Sequence, residues 1–301
     1  QVFGELIASW WLATVQQNKI DSVALVEIGP GRGTLMSDML RTLGKLDPTL
    51  KETLAVHMVE ISPRLTSLQR EKLSGSGFGI QWHQTIDTLP ELRLGIVANE
   101  LFDAVPIRAF FKHEDKWFEN VVGARQSGNL TLEAVPASLD LSILPARHGD
   151  QPNGAVFEYA PARESLMQSI AALFVKNGGF GLFVDYGQIK SSVGDTVQAV
   201  RKHAYANPLE NPGESDLTSH VDFEALANAA RRRGPHVSPV MDQGTFLKVI
   251  GIVERMQRLS KDRPDQHNTR ETANERLTAT NQMGGLFKML GIKAAGMSLP
   301  V

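Results

Sequence analysis

The chain has 301 residues, 42% of them hydrophobic and 21% charged, with a formal net charge of −2. That length and balance fit a globular protein of one large domain or two small ones, with no general attraction to nucleic acid or to an anionic membrane surface. The absence of cysteine excludes disulfides and thiolate metal sites, and no apolar run approaches the roughly 18–20 residues of a membrane-spanning helix.

Gln1 to Glu5 carry no basic n-region, so no secretory signal is expected, and the lack of an initiator Met leads us to expect chain upstream of Gln1. Residues 3–17 place Leu6, Ile7, Trp10 and Trp11 at helical spacing. Their two adjacent tryptophans suit a lid or, more commonly, a core-covering helix. A first strand is expected at 23–28, then a glycine turn and a helix to Leu43, stopped by Gly44 and Pro48. A second strand at 53–60 leads to Ser62-Pro63, a helix N-cap with proline at the first helical position. The next helix carries Leu65, Leu68 and Leu73, and a Gly/Ser loop at 74–79 precedes a short strand at 80–82. A fourth strand at 94–98 ends in Asn99-Glu100-Leu101-Phe102-Asp103. Strands alternating with helices in this way predict a parallel α/β sheet with right-handed crossovers.

The alternation changes after the fourth strand. From 107 to 159 the period becomes that of strands, with Ser127-Gly128-Asn129 as a hairpin turn and a polar loop at 145–154. This predicts an antiparallel insertion within a single domain of residues 1–301. A helix at 161–176 and a fifth strand at 180–185 resume the α/β pattern. Residues 186–221 read as a long irregular segment, of the kind that often carries function. Asp222 then caps a helix, a strand is expected at 235–241, a helix opens at Thr245, residues 260–282 are polar, and an apolar strand closes at 286–292.

The most informative stretch is Val23-Ala24-Leu25-Val26-Glu27-Ile28-Gly29-Pro30-Gly31-Arg32-Gly33-Thr34-Leu35. A branched apolar strand, a turn with glycines at alternate positions and an immediate helix start make a site for a nucleotide-type cofactor. A dinucleotide fingerprint needs glycine at the sixth position, where Thr34 stands, and a phosphate loop needs a lysine after its last glycine. What remains, Glu-x-Gly-x-Gly-x-Gly, resembles the first motif of S-adenosylmethionine-dependent methyltransferases. Glu27, Gly29, Pro30, Gly31 and Gly33 are the cofactor residues it marks. Glu60 ends the second strand, where doubly wound folds place an acid on the ribose hydroxyls, and Asn99 stands at the mouth of the fourth.

Longer stretches are similar to the MidA-type methyltransferases, whose mitochondrial members are protein arginine methyltransferases that assist assembly of respiratory complex I. They include Phe3-Gly4-Glu5, Val59-Glu60-Ile61-Ser62-Pro63, Ala98 to Ile107, Asp185-Tyr186-Gly187, Pro212 to Phe223 and Gln243-Gly244. The resemblance implies a doubly wound, mostly parallel, seven-stranded Rossmann-like sheet, S-adenosylmethionine as cofactor and an arginine-bearing protein, such as a respiratory complex subunit, as acceptor. It also implies a further family segment ahead of Gln1. A guanidine nucleophile calls for carboxylates that orient its planar face. Glu100 and Asp103 are the expected catalytic acids, Asp185 a third wall, and His220 with Asp222 a base-and-orienter pair, against the plainer reading of Asp222 as an N-cap. His57 and His83 are expected to be structural, and no cluster has metal-ligand spacing. A non-catalytic assembly factor of the same fold and a NAD-dependent oxidoreductase are the rival classes. The Ala- and Arg-rich stretch at 227–233 suits a bacterial cytoplasmic protein, with the mitochondrial matrix as the alternative, and the oligomeric state is left open by the sequence.

Overall fold

The structure, a computed structural model, describes residues 1–114, 116–137, 150–202, 204–262 and 267–300, and side-chain detail is confined to residues outside 260–270. Helix and strand alternate from the start. α1 (Val2–Gln17), β1 (Val23–Ile28) and α2 (Thr34–Leu46) are followed by a single turn, α3 (Leu50–Thr53), and then β2 (Ala55–Val59). α4 (Pro63–Leu73), β3 (Ile80–His83) and β4 (Arg93–Asn99) complete the first half. Four strands come next: β5 (Arg108–His113), β6 (Lys116–Ala124), β7 (Leu130–Pro136) and β8 (Val156–Tyr159). α5 (Pro161–Asn177) returns the chain to β9 (Gly179–Gln188). Short strands β10 (Gln198–Arg201), β11 (Ala204–Ala206), β12 (Asp216–Thr218) and β13 (Val221–Asp222) lead to α6 (Phe223–Arg231). The chain finishes with β14 (His236–Val237), β15 (Met241–Asp242), α7 (Gln243–Val249), α8 (Ile252–Asp262), α9 (His267–Thr278), α10 (Met283–Leu286) and β16 (Phe287–Lys293).

The main sheet runs β14-β16-β9-β4-β1-β2-β3, with β13 paired to β9 and β15 to β16. β3, β2, β1, β4 and β9 are mutually parallel. β16 runs antiparallel to β9, from Phe287 opposite Tyr186 to Lys293 opposite Phe180. The expected seven-stranded sheet is therefore a nine-stranded mixed sheet among the described residues. The extra members, β13 and β15, are two-residue pieces too short to show a period of two.

Both faces of the sheet are covered, which is why its strands read as continuous apolar runs. Successive side chains go to opposite faces. Leu25, Val97, Leu182 and Val184 pack with α1, α2 and α7, whereas Ala24, Val26, Ile96, Ala98 and Phe183 pack with α5 and α6. The tryptophans belong to the first of these cores. Trp11 is fully buried and donates from Nε1 to the Gly95 carbonyl at 3.0 Å. A Cβ at Gly95 would lie 2.2 Å from that nitrogen, so glycine is what lets α1 approach β4. Trp10 meets Phe180 edge-on at 5.7 Å. The two tryptophans are core residues, as the core-covering reading has it.

β5 to β8 form a separate four-stranded antiparallel sheet in the order β7-β6-β5-β8. Of the polar loop expected at 145–154, residues 145–149 lie outside the described residues. Gly154 donates to the Lys112 carbonyl at 2.8 Å, closing the remainder onto β5. Three local expectations need correction. The irregular segment at 186–221 holds the end of β9 and a three-stranded sheet, β11-β10-β12, whose runs of three or four residues carry too few repeats to register as strands. The strand expected at 235–241 is two short pieces parted at Ser238-Pro239, where proline lacks the N–H a ladder needs. The second strand begins at Ala55 because Leu50–Thr53 closes as a helical turn.

Candidate active site

The glycine turn is built by three left-handed residues at the end of a fully buried strand. Gly29, Gly31 and Gly33 have φ of 67°, 53° and 70°. Gly29 donates to the Val59 carbonyl at 3.0 Å, and Gly33 to the Pro30 carbonyl at 2.8 Å. A Cβ on Gly29 would lie 2.9 Å from Leu101 Cδ1, and one on Gly33 3.3 Å from Gln69 Cγ. A Cβ on Gly31 would meet nothing within 4 Å. All three are favoured by their positive φ; a Cβ on either outer glycine would also press on a neighbouring side chain, and the middle one faces open space. α2 starts here with Gly33 at its N-cap, which offers no side-chain cap; the N–H of its third residue, Met36, goes to Glu27, and those of Thr34 and Leu35 stand at the cavity.

That open space is a cavity of about 430 Å³, within the size range of small-molecule sites. Glu27, Gly29, Pro30, Gly31, Asn99 and Glu100 line it, and Phe3, Gln243, Leu277 and Met283 close it from α1, α7, α9 and α10. Glu27 is 2% exposed, and its Oε2 has no hydrogen-bond partner. Burial pushes this carboxyl up to about 8, and the hydrogen bond from the Met36 backbone opposes that only in part. A buried acid with an orphaned oxygen beside an uncovered glycine fits a polar, cationic ligand that would supply the missing partner.

Glu60 is buried behind the turn. Its Oε1 accepts from Ser62 N at 2.8 Å and its Oε2 from Gln69 Nε2 at 3.1 Å. The same Gln69 nitrogen donates to the Gly31 carbonyl at 2.7 Å, and Trp82 Nε1 holds Gln69 Oε1 at 3.0 Å. Glu60 is therefore tied to the glycine turn through Gln69 and does not itself line the cavity. Beside it Ile61 is 82% exposed, an apolar surface next to the turn. Ser62 caps α4 through Leu65 N, with Pro63 at the first helical position, as its sequence predicts.

A group of acids stands at the mouths of β4 and β9. Glu100 has φ of 53°, an uncommon value for a residue with a side chain. Its N–H donates to the Val184 carbonyl at 2.9 Å, and Asn99 Nδ2 donates to its Oε1 at 3.0 Å. The Glu100 side chain is exposed at the cavity mouth; partial desolvation there, and to a lesser extent the neighbouring Asp103 charge, raises its carboxyl above the usual range. Asp185 is fully buried and accepts from Phe102 N at 2.9 Å, Asp103 N at 3.2 Å and Tyr186 N at 3.0 Å. It pins the loop that carries Glu100. Its carboxyl is raised by burial and by Asp103. Asp103 accepts from the Tyr186 hydroxyl at 2.7 Å, while its Oδ1 is buried without a partner. Burial raises the Asp103 carboxyl as well, with the Tyr186 hydrogen bond acting against it.

The sequence pattern gives no sign of Arg163 or of what Tyr186 does. Arg163 is 3% exposed, and its Nη2 donates to the Asp103 carbonyl at 3.0 Å and to Ser219 Oγ at 2.6 Å. Its Nη1 donates to the His220 carbonyl at 2.7 Å. This guanidinium joins α5 to two distant segments, and only those long-range contacts set it apart from a surface arginine. The His220 ring packs edge-on against Tyr186 at 5.7 Å, and burial lowers its pKa. Asp222 accepts from Ala225 N at 2.9 Å as the N-cap of α6. Of the expected acids, Glu100 reaches the cavity, and Asp103 and Asp185 stand behind it. His57 Nδ1 and His83 Nε2 lie 2.8 Å apart on β2 and β3, away from the site, and burial lowers His57 to about 4. Among the described residues no three His, Asp or Glu side chains are grouped to hold a metal, and no helix is long and apolar enough to cross a membrane.

Residues 6–240 match a family model described as "Putative S-adenosyl-L-methionine-dependent methyltransferase". The chain belongs to this methyltransferase family. It is 32% identical to the protein arginine methyltransferase NDUFAF7, mitochondrial, of Danio rerio, over 97% of this chain and 74% of that protein. It is 31% identical to the homologue from Caenorhabditis elegans, over 91% of this chain and 69% of that one. A COG1565 superfamily member from Burkholderia thailandensis, solved with S-adenosyl-homocysteine and 23% identical, superposes with a TM-score of 0.84 over 99% of this chain and 78% of its own. That likeness establishes the fold, and the family match makes this chain a methyltransferase that uses S-adenosylmethionine.

Proposed function

We propose that the chain methylates an arginine of a protein acceptor, with the cavity between the glycine turn and Glu100 as the place of transfer. The observation that carries this is the Glu100 carboxylate lining the same cavity as Gly29 to Gly31. The names of the NDUFAF7 relatives supply the arginine, and the family resemblance supplies a respiratory complex subunit as the expected acceptor. Their mitochondrial names support a matrix location over the bacterial cytoplasm that the composition suggests.

The cofactor supplies an electrophilic methyl group when bound. Backbone groups of Gly29, Pro30 and Gly31 would hold it, with Glu27 and Asn99 at its polar ends and Glu60 acting through Gln69 on the Gly31 carbonyl. Glu100 does the work on the acceptor side. Asn99 takes its Oε1, which leaves Oε2 to accept from a guanidinium and fix its plane. The raised Glu100 pKa suits a carboxylate that takes up the proton lost from the attacking nitrogen. Asp185 and Asp103 act behind it. Asp185 holds the loop through three backbone N–H groups, and Asp103 ties that loop to the Tyr186 hydroxyl. His220 packs on Tyr186 and keeps that wall in place.

Transfer of radiolabelled methyl from S-adenosylmethionine into a lysate, followed by amino-acid analysis of the labelled proteins, tests this directly. Label in methylarginine supports the reading. Label in another residue or in a small molecule would replace the acceptor, and no label with intact cofactor binding would favour a non-catalytic role.

A further inference from the structure

We propose that Gln243 is a second acceptor-side group of the transfer site, its side-chain oxygen taking one N–H of the substrate guanidinium while Glu100 takes another. This rests on the arginine reading above. Glu100 offers the guanidinium one oxygen, because Asn99 occupies the other. A planar cation is held best by acceptors on two of its edges, since a single contact leaves rotation about itself. Gln243 lines the same cavity as Glu100 and can supply the second.

The sheet places Gln243 on the acceptor side of the cavity. Asn99 of β4 is level with Val184 of β9, Val184 with Met289 of β16, and Met289 with Met241 of β15. β15 is antiparallel to β16 and β16 to β9, so β15 runs in the direction of β4. Gln243 follows Met241 by two residues and opens α7 at the carboxyl end of the sheet, where Glu100 also stands. The glycine turn follows β1, on the other side of β4. Glu100 therefore lies between the turn and Gln243 in strand order, with all three at one cavity.

Local packing decides which end of the amide meets the ligand. Gln243 is 1% exposed, and its Nε2 donates to the Leu277 carbonyl at 3.0 Å. A carbonyl accepts only from a donor, so this partner turns the nitrogen inward and leaves the oxygen as the free end. Oε1 accepts from no group among the described residues and, unlike Glu27 Oε2, is not sealed away. Gly244 makes the arrangement possible. A Cβ there would lie 2.3 Å from the Thr278 carbonyl oxygen, so glycine lets the first turn of α7 seat against the end of α9. The Gln243-Gly244 pair thus acts as a unit: the glycine brings α7 close, and the close approach aims the glutamine. Other acids at the cavity are already engaged. Asp38 is paired with Arg41, and Glu27 stands on β1 beneath the glycine turn, on the cofactor side.

The test is titration calorimetry with two bisubstrate probes. Each is an S-adenosylhomocysteine analogue in which nitrogen replaces sulfur and carries a propyl arm, ending in guanidine in one probe and in urea in the other. Wild-type protein is expected to bind the guanidine probe about 100-fold more tightly than the urea probe, as two charge-assisted hydrogen bonds of about tenfold each require. Gln243→Met, of similar length but without a hydrogen-bonding oxygen, and Gln243→Ala are each expected to lower that ratio about tenfold. Both variants should bind S-adenosylhomocysteine within about twofold of wild type, which shows that they are folded. A purely structural loss at Leu277 would weaken the two probes alike, so an unchanged ratio in the folded variants would overturn the proposal. Loss of S-adenosylhomocysteine binding by both variants would also overturn it, because Gln243 would then serve the cofactor or the fold. Absence of any guanidine preference in wild type would instead overturn the arginine reading, and this proposal with it.

Discussion

Replacing Glu27 by Gln should make the protein's stability less sensitive to pH, and the structure fixes the sign. The Glu27 carboxyl sits at about 8 when folded, against an ordinary value of 4.5. Between these values the unfolded chain has lost a proton that the folded chain keeps. The unfolded state then binds fewer protons, so stability falls as pH rises through this window and is unaffected below it. Each pH unit costs about 1.4 kcal/mol, which sets an upper bound of about 5 kcal/mol across the window. Glu27→Gln has nothing to ionise. The difference in unfolding free energy between variant and wild type, measured by urea denaturation at pH 5, 6, 7 and 8, should therefore move steadily in the variant's favour as pH rises. Taking the difference cancels Glu100, Asp103 and the other groups common to both proteins. A difference that stays constant from pH 5 to 8 would refute the reasoning, because it would mean that Glu27 ionises as it does in water. The same reasoning predicts that a cationic cofactor drives a proton off Glu27 near pH 7. The binding enthalpy of wild type, and not of the variant, should then vary with the ionisation heat of the buffer.

Gly29→Ala should lower stability by about 1–3 kcal/mol in urea denaturation, since its φ of 67° disfavours a side chain and its Cβ would press on Leu101 Cδ1. Glu60→Ala should weaken S-adenosylmethionine binding at least about tenfold in calorimetry, because Gln69 loses the carboxylate that holds it against Gly31. Glu100→Gln should leave cofactor affinity within twofold and reduce methyl transfer by about 100-fold or more, measured with radiolabelled cofactor, since it removes the proton acceptor and one charge from the guanidinium contact.

The parts of the fold that the sequence exposes are those set by local rules. β1, the Gly29–Gly33 turn and the start of α2 follow from an apolar run, positive-φ positions and a helical stripe within a dozen residues, and Ser62-Pro63 caps α4 as its residue types demand. The parts that are hidden depend on distant partners. β13 to β15 have two residues each and exist only because β9 and β16 offer free edges. The same holds in the site. Glu100 is marked by its place after β4, whereas Arg163 is one arginine on an ordinary helix until the segments of Asp103 and Ser219 close around it. Asp185 was expected to face the acceptor as a wall. Its three backbone N–H partners make it the anchor of the loop in front of it, a distinction that strand position alone does not carry. His220 and Asp222 are two residues apart, yet one packs on Tyr186 and the other caps a helix.

The central claim is that S-adenosylmethionine lies against the turn at Gly31, and titration calorimetry of wild type and Gly31→Val tests it most directly. A Cβ at Gly31 meets no protein atom within 4 Å, so a side chain there projects into the space assigned to the cofactor, and the residual cost to the fold is the strain of φ 53°. The prediction is one-to-one binding by wild type and loss of measurable binding by a Gly31→Val protein that still unfolds cooperatively in urea. Binding of S-adenosylmethionine by the folded variant with wild-type affinity would contradict the account.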